Sequence, residues 1–173
     1  MARWIGLLAA AMIILGCSAK QIGTHATTNL LNVSPDIAVV VAGESVDPQV
    51  LDELTQHLKA KLIVAGFNIE DLAETALKLE VDVQRFDPGN EALRLIVGFG
   101  AGRGSLLYTA RFLDHEGQVL AAMDGQERFT GGELHLIMEY GEMSPLQGAE
   151  GVRTILVQEA AKHIAELGLA KTK

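Results

Sequence analysis

The chain has a single cysteine, Cys17, among its 173 residues, with four prolines, one tryptophan and an aromatic content of 5%. One thiol forms neither an intramolecular disulfide nor a thiolate cluster, so the fold must stand on packing alone. Basic residues are also scarce: 14 Lys and Arg face 22 Asp and Glu, for a net charge of −8. With no basic patch, sequence-independent nucleic-acid binding is not expected. No Gly-Lys-Ser/Thr occurs, which excludes a Walker loop, and no G-x-S-x-G marks a serine nucleophile. There is no internal repeat. The apolar run from Trp4 to Leu15 falls short of the ~20 residues that a spanning helix needs.

That run follows one positive charge, Arg3, and is closed by the small residue Gly16, the order of an export leader over residues 1–16. Ile14-Leu15-Gly16-Cys17 resembles the lipobox of bacterial lipoproteins, in which cleavage leaves the cysteine as an acylated first residue. A lipid on Cys17 would consume the only sulfhydryl and hold the protein at a membrane, since each buried methylene contributes ~0.8 kcal/mol. Ser18 rather than Asp follows, which resembles sorting to the outer membrane, with the domain on its periplasmic face. Loss of the leader takes Arg3 with it and leaves the mature chain at −9. Residues 17–36, rich in Ser, Thr, Asn and Gly, read as a flexible tether that keeps the acidic body off the bilayer. Residues 37–173 then suit one domain.

Ile37 to Gly43 is a β-branched run bounded by Pro35 and Gly43, read as a buried strand. Asp47 as N-cap, Pro48 at the first helical position and Gly66 at the far end bracket a helix, with Leu51, Leu54, Leu58, Leu62 and Ala65 inward. Residues 75–86 alternate, Leu77, Leu79, Val81 and Val83 opposing Lys78, Glu80, Asp82 and Gln84, which predicts a strand with one wet face. A hairpin follows, 105–113 returning as 118–129 around Asp114-His115-Glu116-Gly117. A last helix over 149–167 turns Val152, Leu156, Ala160, Ile164 and Leu167 inward, with Gly168 after it. The expected fold is α+β, a two-layer sandwich of an antiparallel or mixed sheet with two main helices on one face.

The stretch from Gly89 to Gly104, "GNEALRLIVGFGAGRG", invites a nucleotide reading but fails it. Gly98, Gly100 and Gly102 alternate, Arg103 stands where the last fingerprint glycine belongs, and a strand rather than a helix follows. Arg94 and Arg103 interrupt it as a membrane segment. The glycines read as a bend of positive φ and close backbone approach, after one or two turns of helix or an irregular strand.

The same region, with Gly89, Asn90, Arg94, Gly98, Phe99, Gly100, Ala101, Gly102, Asp114 and Gly117, resembles the bacterial lipoprotein family called domain of unknown function 4410. The resemblance covers most of the mature chain and implies an exported, lipid-anchored α+β domain; it supplies no activity. The loop Glu133–Ser144 departs from it.

Asn90, Arg94, Gly98, Gly100, Gly102 and Asp114 are therefore the structural or ligand candidates, beside the lipidation site Cys17. Arg94 is placed to hold Asp114 or a chain carbonyl, or to bind an anion. Glu133, His135, Met138, Glu139, Glu142 and Met143 lack the spacing of a defined metal site, so no metal and no cofactor is expected. His25, His57, His115 and His163 read as surface residues, and no catalytic residue is assigned. The expected role is non-catalytic: an envelope binding or assembly module meeting a protein or cell-wall partner. The alternatives are an enzyme or small-ligand carrier using the glycine bend with Arg94, and a subunit of an oligomeric envelope assembly.

Overall fold

The computed structural model describes residues 22–24, 30–70, 77–96, 102–129 and 148–169, with the backbone alone at 22–24 and 94–96. Among the described residues six strands form one sheet: β1 (Ile22–Thr24), β2 (Asp36–Ala42), β3 (Asn68–Ile69), β4 (Leu77–Asp87), β5 (Gly104–Leu113) and β6 (Val119–Phe129). Their order is β1-β6-β5-β4-β2-β3. β2 runs parallel to β3 and β4, whereas β4, β5, β6 and β1 alternate in direction. The helices are α1 (Pro48–Ala65), the short α2 (Glu91–Ile96) and α3 (Ala149–Gly168), and a 3-10 turn occupies Leu30–Asn32. α1 is the crossover that two parallel strands require, whereas β5 and β6 need only a tight turn. The architecture is the expected α+β sandwich, with α1 and α3 packed side by side on one sheet face.

α1 forms where its punctuation predicts. The Asp47 carboxylate accepts from the Gln49 N–H at 2.9 Å, Pro48 opens the first turn, and Gly66 closes the helix at φ 103°. Val50, Leu54, Leu58 and Leu62 are fully buried, while Leu51 and Ala65, expected inside, sit half-buried at the rim. On β4 the four predicted inward residues are all buried, joined by Leu106, Tyr108, Ala110 and Phe112 of β5 and Ala121, Met123 and Phe129 of β6. Each large apolar side chain so buried contributes roughly 1.5–3 kcal/mol.

α3 buries its five predicted residues and also Ile155, Val157, Ala161 and Ala165, because it is wedged between the sheet and α1. Gly168 is the last residue of this helix rather than its cap. Leu169 caps it at φ −101°, and Gly168 instead leaves room for Phe112, whose Cζ would stand 3.1 Å from an added Cβ. Two half-buried side chains tie the helices together: Arg153 Nε donates to Glu53 Oε2 at 2.7 Å, and Thr154 Oγ1 to Glu53 Oε1 at 2.8 Å.

The folded part reaches into the span read as tether. β1 pairs antiparallel with β6, Ile22 opposite Asp124 and Thr24 opposite Met123, and Leu30 is fully buried. Leu31 packs against the core beside Gly66, so this short segment covers the end of α1.

Candidate functional site

At one pole of the sheet, α2 and its flanks meet the start of β5. The Asp87 carboxylate accepts from the Gly89 N–H at 2.8 Å, and Asn90 caps α2 by accepting from the Leu93 N–H at 3.1 Å. The Asn90 N–H donates to the Gly102 carbonyl at 3.2 Å. Gly89 (φ 74°) and Gly102 (φ 68°) are both left-handed. A Cβ on Gly89 would stand 2.3 Å from the Gly102 carbonyl oxygen, and one on Gly102 would stand 2.1 Å from that of Asn90. These glycines thus bring two backbones together, as a bend with close approach predicts. Their amides and carbonyls face each other across the contact.

Asp114 does not join this pole. It starts the β5–β6 turn, its Oδ1 accepting from Glu116 N–H at 2.9 Å and Gln118 N–H at 2.8 Å, while Gly117 takes φ 81°. The length of β5, ten residues at about 3.3 Å each, separates Asp114 from Gly102 by roughly 30 Å. Arg94 lies on α2, before β5, whereas Asp114 follows the end of β5. The Asp114 carboxylate serves the turn instead. Cys17, Gly98, Gly100 and the loop 133–144 lie outside the described residues.

The most unusual chemistry lies between these ends, where the sequence reading placed none. Glu127, on the inward face of β6, is 5% exposed. Its Oε1 accepts from Tyr108 Oη at 2.9 Å and contacts His163 Nδ1 at 2.9 Å. Three elements, β5, β6 and α3, each supply one member. Gly125 makes the arrangement possible: it stands opposite Tyr108 in the ladder, and a Cβ there would fall 2.2 Å from Tyr108 Cζ.

Burial first, and then the neighbouring Glu127 charge, push the Tyr108 hydroxyl far above its ordinary range. His163 is raised above 6.5, chiefly by its hydrogen bond to Glu127, against a smaller opposing effect of burial; Glu127, Glu159 and Glu166 add their negative charge. The arrangement favours the protonated form of His163 and ties α3 to the sheet. His163, read from sequence as a surface residue, therefore needs correction: its side chain is 18% exposed and paired. His115 is exposed in the turn as expected, and His57 is half-buried on α1. Among the described residues, no group of three or more His, Cys, Asp or Glu side chains is arranged to hold a metal ion.

Two solved structures share the fold. The PelC dodecamer from Paraburkholderia phytofirmans superposes with a TM-score of 0.53 at 15% identity, covering 90% of this chain and 99% of that one. A variant of the same dodecamer gives 0.52 at 16% identity, covering 88% and 99%. An uncharacterized lipoprotein B from Nitrosomonas europaea gives 0.34 at 13% identity, covering 76% and 83%. No curated protein matches the sequence. The family described as Domain of unknown function (DUF4410) matches residues 42–132, from the end of β2 through the whole β5–β6 hairpin. With more than half of its length so matched, the chain belongs to the DUF4410 family.

Proposed function

We propose that the protein is an envelope lipoprotein, held at a membrane by acyl chains on Cys17, whose α+β domain is a non-catalytic binding or assembly module. The observation that carries this reading is Ile14-Leu15-Gly16-Cys17 at the end of an export leader, with its lone cysteine. Among the described residues no helix is long and apolar enough to cross a membrane. Ser18 directs the anchored domain to the periplasmic face of the outer membrane in this reading. Assembly is the more concrete of the two roles, because the fold is that of a protein solved as a dodecamer. A second envelope protein or the cell wall is the remaining partner class.

Two measurements test the two parts separately. Intact-mass analysis of the purified native protein is expected to show residues 1–16 removed and acyl chains added at Cys17; an unmodified thiol or a retained Met1 refutes the anchor. Light scattering on the chain from Ser18 onward, which keeps β1, is expected to give a mass several times that of one chain. A monomer at all concentrations refutes the assembly role and leaves the anchor standing.

A further inference from the structure

One edge of the sheet is left open along an apolar strand. β3 pairs with β2 only at Asp36 and Ile37, so among the described residues no strand covers Val39–Ala42 on the side away from β4. Phase decides which groups are open. The Asn68 N–H donates to the Pro35 carbonyl and the Glu70 N–H to that of Ile37. Odd-numbered residues of β2 therefore turn their amides and carbonyls toward β3, and in the same phase Val39 and Val41 turn theirs to the open edge. Neither has a backbone partner there among the described residues. The strand reads Asp-Ile-Ala-Val-Val-Val-Ala, without the lysine, proline or bulge that blunts an edge facing water.

α1 lies on β2 and β3, and α3 on β5 and β6. Glu53 meets α3, whereas Asp52 and Lys59, two turns apart, share the flank turned away from it, above the open edge. Among the described residues neither makes an ion pair or a side-chain hydrogen bond. α1 ends at Ala65, close to the level of Asn68 and its neighbour Asp36. Val40 lies four steps farther along β2, ~13 Å, which is about nine residues back along α1. That level falls near Gln56, midway between Asp52 and Lys59.

We propose that β2 pairs antiparallel with β2 of a second copy across a two-fold axis at Val40, making one continuous sheet. This names an interface for the assembly role proposed above and rests on that reading. Val39 then faces the partner's Val41 as a hydrogen-bonded pair, and Val41 the partner's Val39, so both open residues of each copy are used. A two-fold axis at Val39 or Val41 would use only one. The same axis sets Asp52 against the partner's Lys59 and Lys59 against the partner's Asp52, so the flank of α1 is self-complementary in charge.

Val40 meets its own counterpart as a non-hydrogen-bonded pair, with Cα atoms about 4.5 Å apart, within the span of a disulfide. Full-length lipidated protein carrying Val40→Cys, in detergent micelles under mild oxidation, is expected to form a disulfide dimer at least tenfold faster than Arg111→Cys. Arg111 is exposed on the outer face of β5 and reports random collision. In the Val40→Cys chain, Asp52→Lys or Lys59→Asp alone should slow the dimer several-fold, and the two together should restore it. Sedimentation of the same reversals without the cysteine reads the pairing in a chain whose sheet is untouched. If the protein assembles but Val40→Cys links no faster than Arg111→Cys, or if the reversals do not rescue each other, the two-fold pairing is overturned and the assembly role stands. A monomer at all concentrations overturns both.

Discussion

Replacing Glu127 tests the buried Tyr108–Glu127–His163 group most directly. Glu127→Ala leaves the Tyr108 hydroxyl, fully buried, without its acceptor, at a cost of ~1–3 kcal/mol. The lost charge-assisted bond to His163 adds ~1 kcal/mol, toward the low end because that ring, 18% exposed, is able to meet water. The total, about 3 kcal/mol, would lower the midpoint of thermal unfolding by roughly 10 °C for a domain of this size. Glu127→Gln keeps an acceptor for Tyr108 and should cost only ~1 kcal/mol. The pH dependence separates the two effects. His163 has a folded pKa raised above its unfolded value of 6.5, so the folded state binds the extra proton between the two values. Its stabilisation is fully present below pH 6.5 and is lost as pH rises through the folded value. Tyr108, raised by burial, stays protonated across this window. Urea unfolding from pH 6 to pH 9 should therefore show the wild type's advantage over Glu127→Gln narrowing with pH. Glu159→Gln and Glu166→Gln serve as controls for the carboxylates flanking His163 on α3. A pH-independent gap, or a Glu127→Ala cost below ~0.5 kcal/mol, would refute the pairing.

Gly102→Ala should destabilise by at least ~2 kcal/mol, since it combines positive φ with a backbone oxygen 2.1 Å from the new Cβ. Gly117→Ala has the same φ sign but open space, and should cost only ~1 kcal/mol; equal losses in chemical denaturation would discredit the backbone contact at the α2 pole. Gly125→Ala drives a methyl into the Tyr108 ring. Its expected cost is ~2–3 kcal/mol, with a changed near-ultraviolet tyrosine signal; an unaltered signal would mean that the ring is not held over Gly125. A double-mutant cycle on Glu53→Ala and Arg153→Ala should return a coupling of ~1 kcal/mol between α1 and α3, and a coupling of zero would remove this tie from the account.

The parts of the fold legible in the sequence are those where a period or a punctuation mark repeats a physical constraint. β4 alternates for its whole buried length because one sheet face is covered and the other is wet. α1 carries Asp47, Pro48 and Gly66 where orphan amides and a left-handed turn require them. β1 and the turn at Leu30 carry no such mark, because three residues are too few to show a period. The reason for their order is tertiary: a neighbouring strand edge in one case and the exposed end of α1 in the other. Gly168 failed as a cap for a related reason, since its missing side chain answers to Phe112 across the core rather than to the helix end.

The same distinction decides what was legible of the site. Asn90, Arg94, Gly102 and Asp114 stand out because they recur in one compact motif, yet β5 carries Asp114 to the far pole, so closeness along the chain did not become closeness in space. Tyr108, Glu127 and His163 are 19 and 36 residues apart and form no motif. Their signal was a matter of phase. Glu127 falls in the inward register of Ala121, Met123, Gly125 and Phe129, and His163 falls three residues after Ala160 and seven after Leu156 on the inward face of α3. A carboxylate forced inward by register must find donors, because burying it alone costs several kcal/mol. The inward hydroxyl of Tyr108 and the inward imidazole of His163 are what adjoining elements supply. A charge out of place in a period is therefore a stronger pointer to buried chemistry in this chain than a glycine-rich motif, of which Gly89, Gly102 and Gly117 shape the backbone at the two ends of the hairpin.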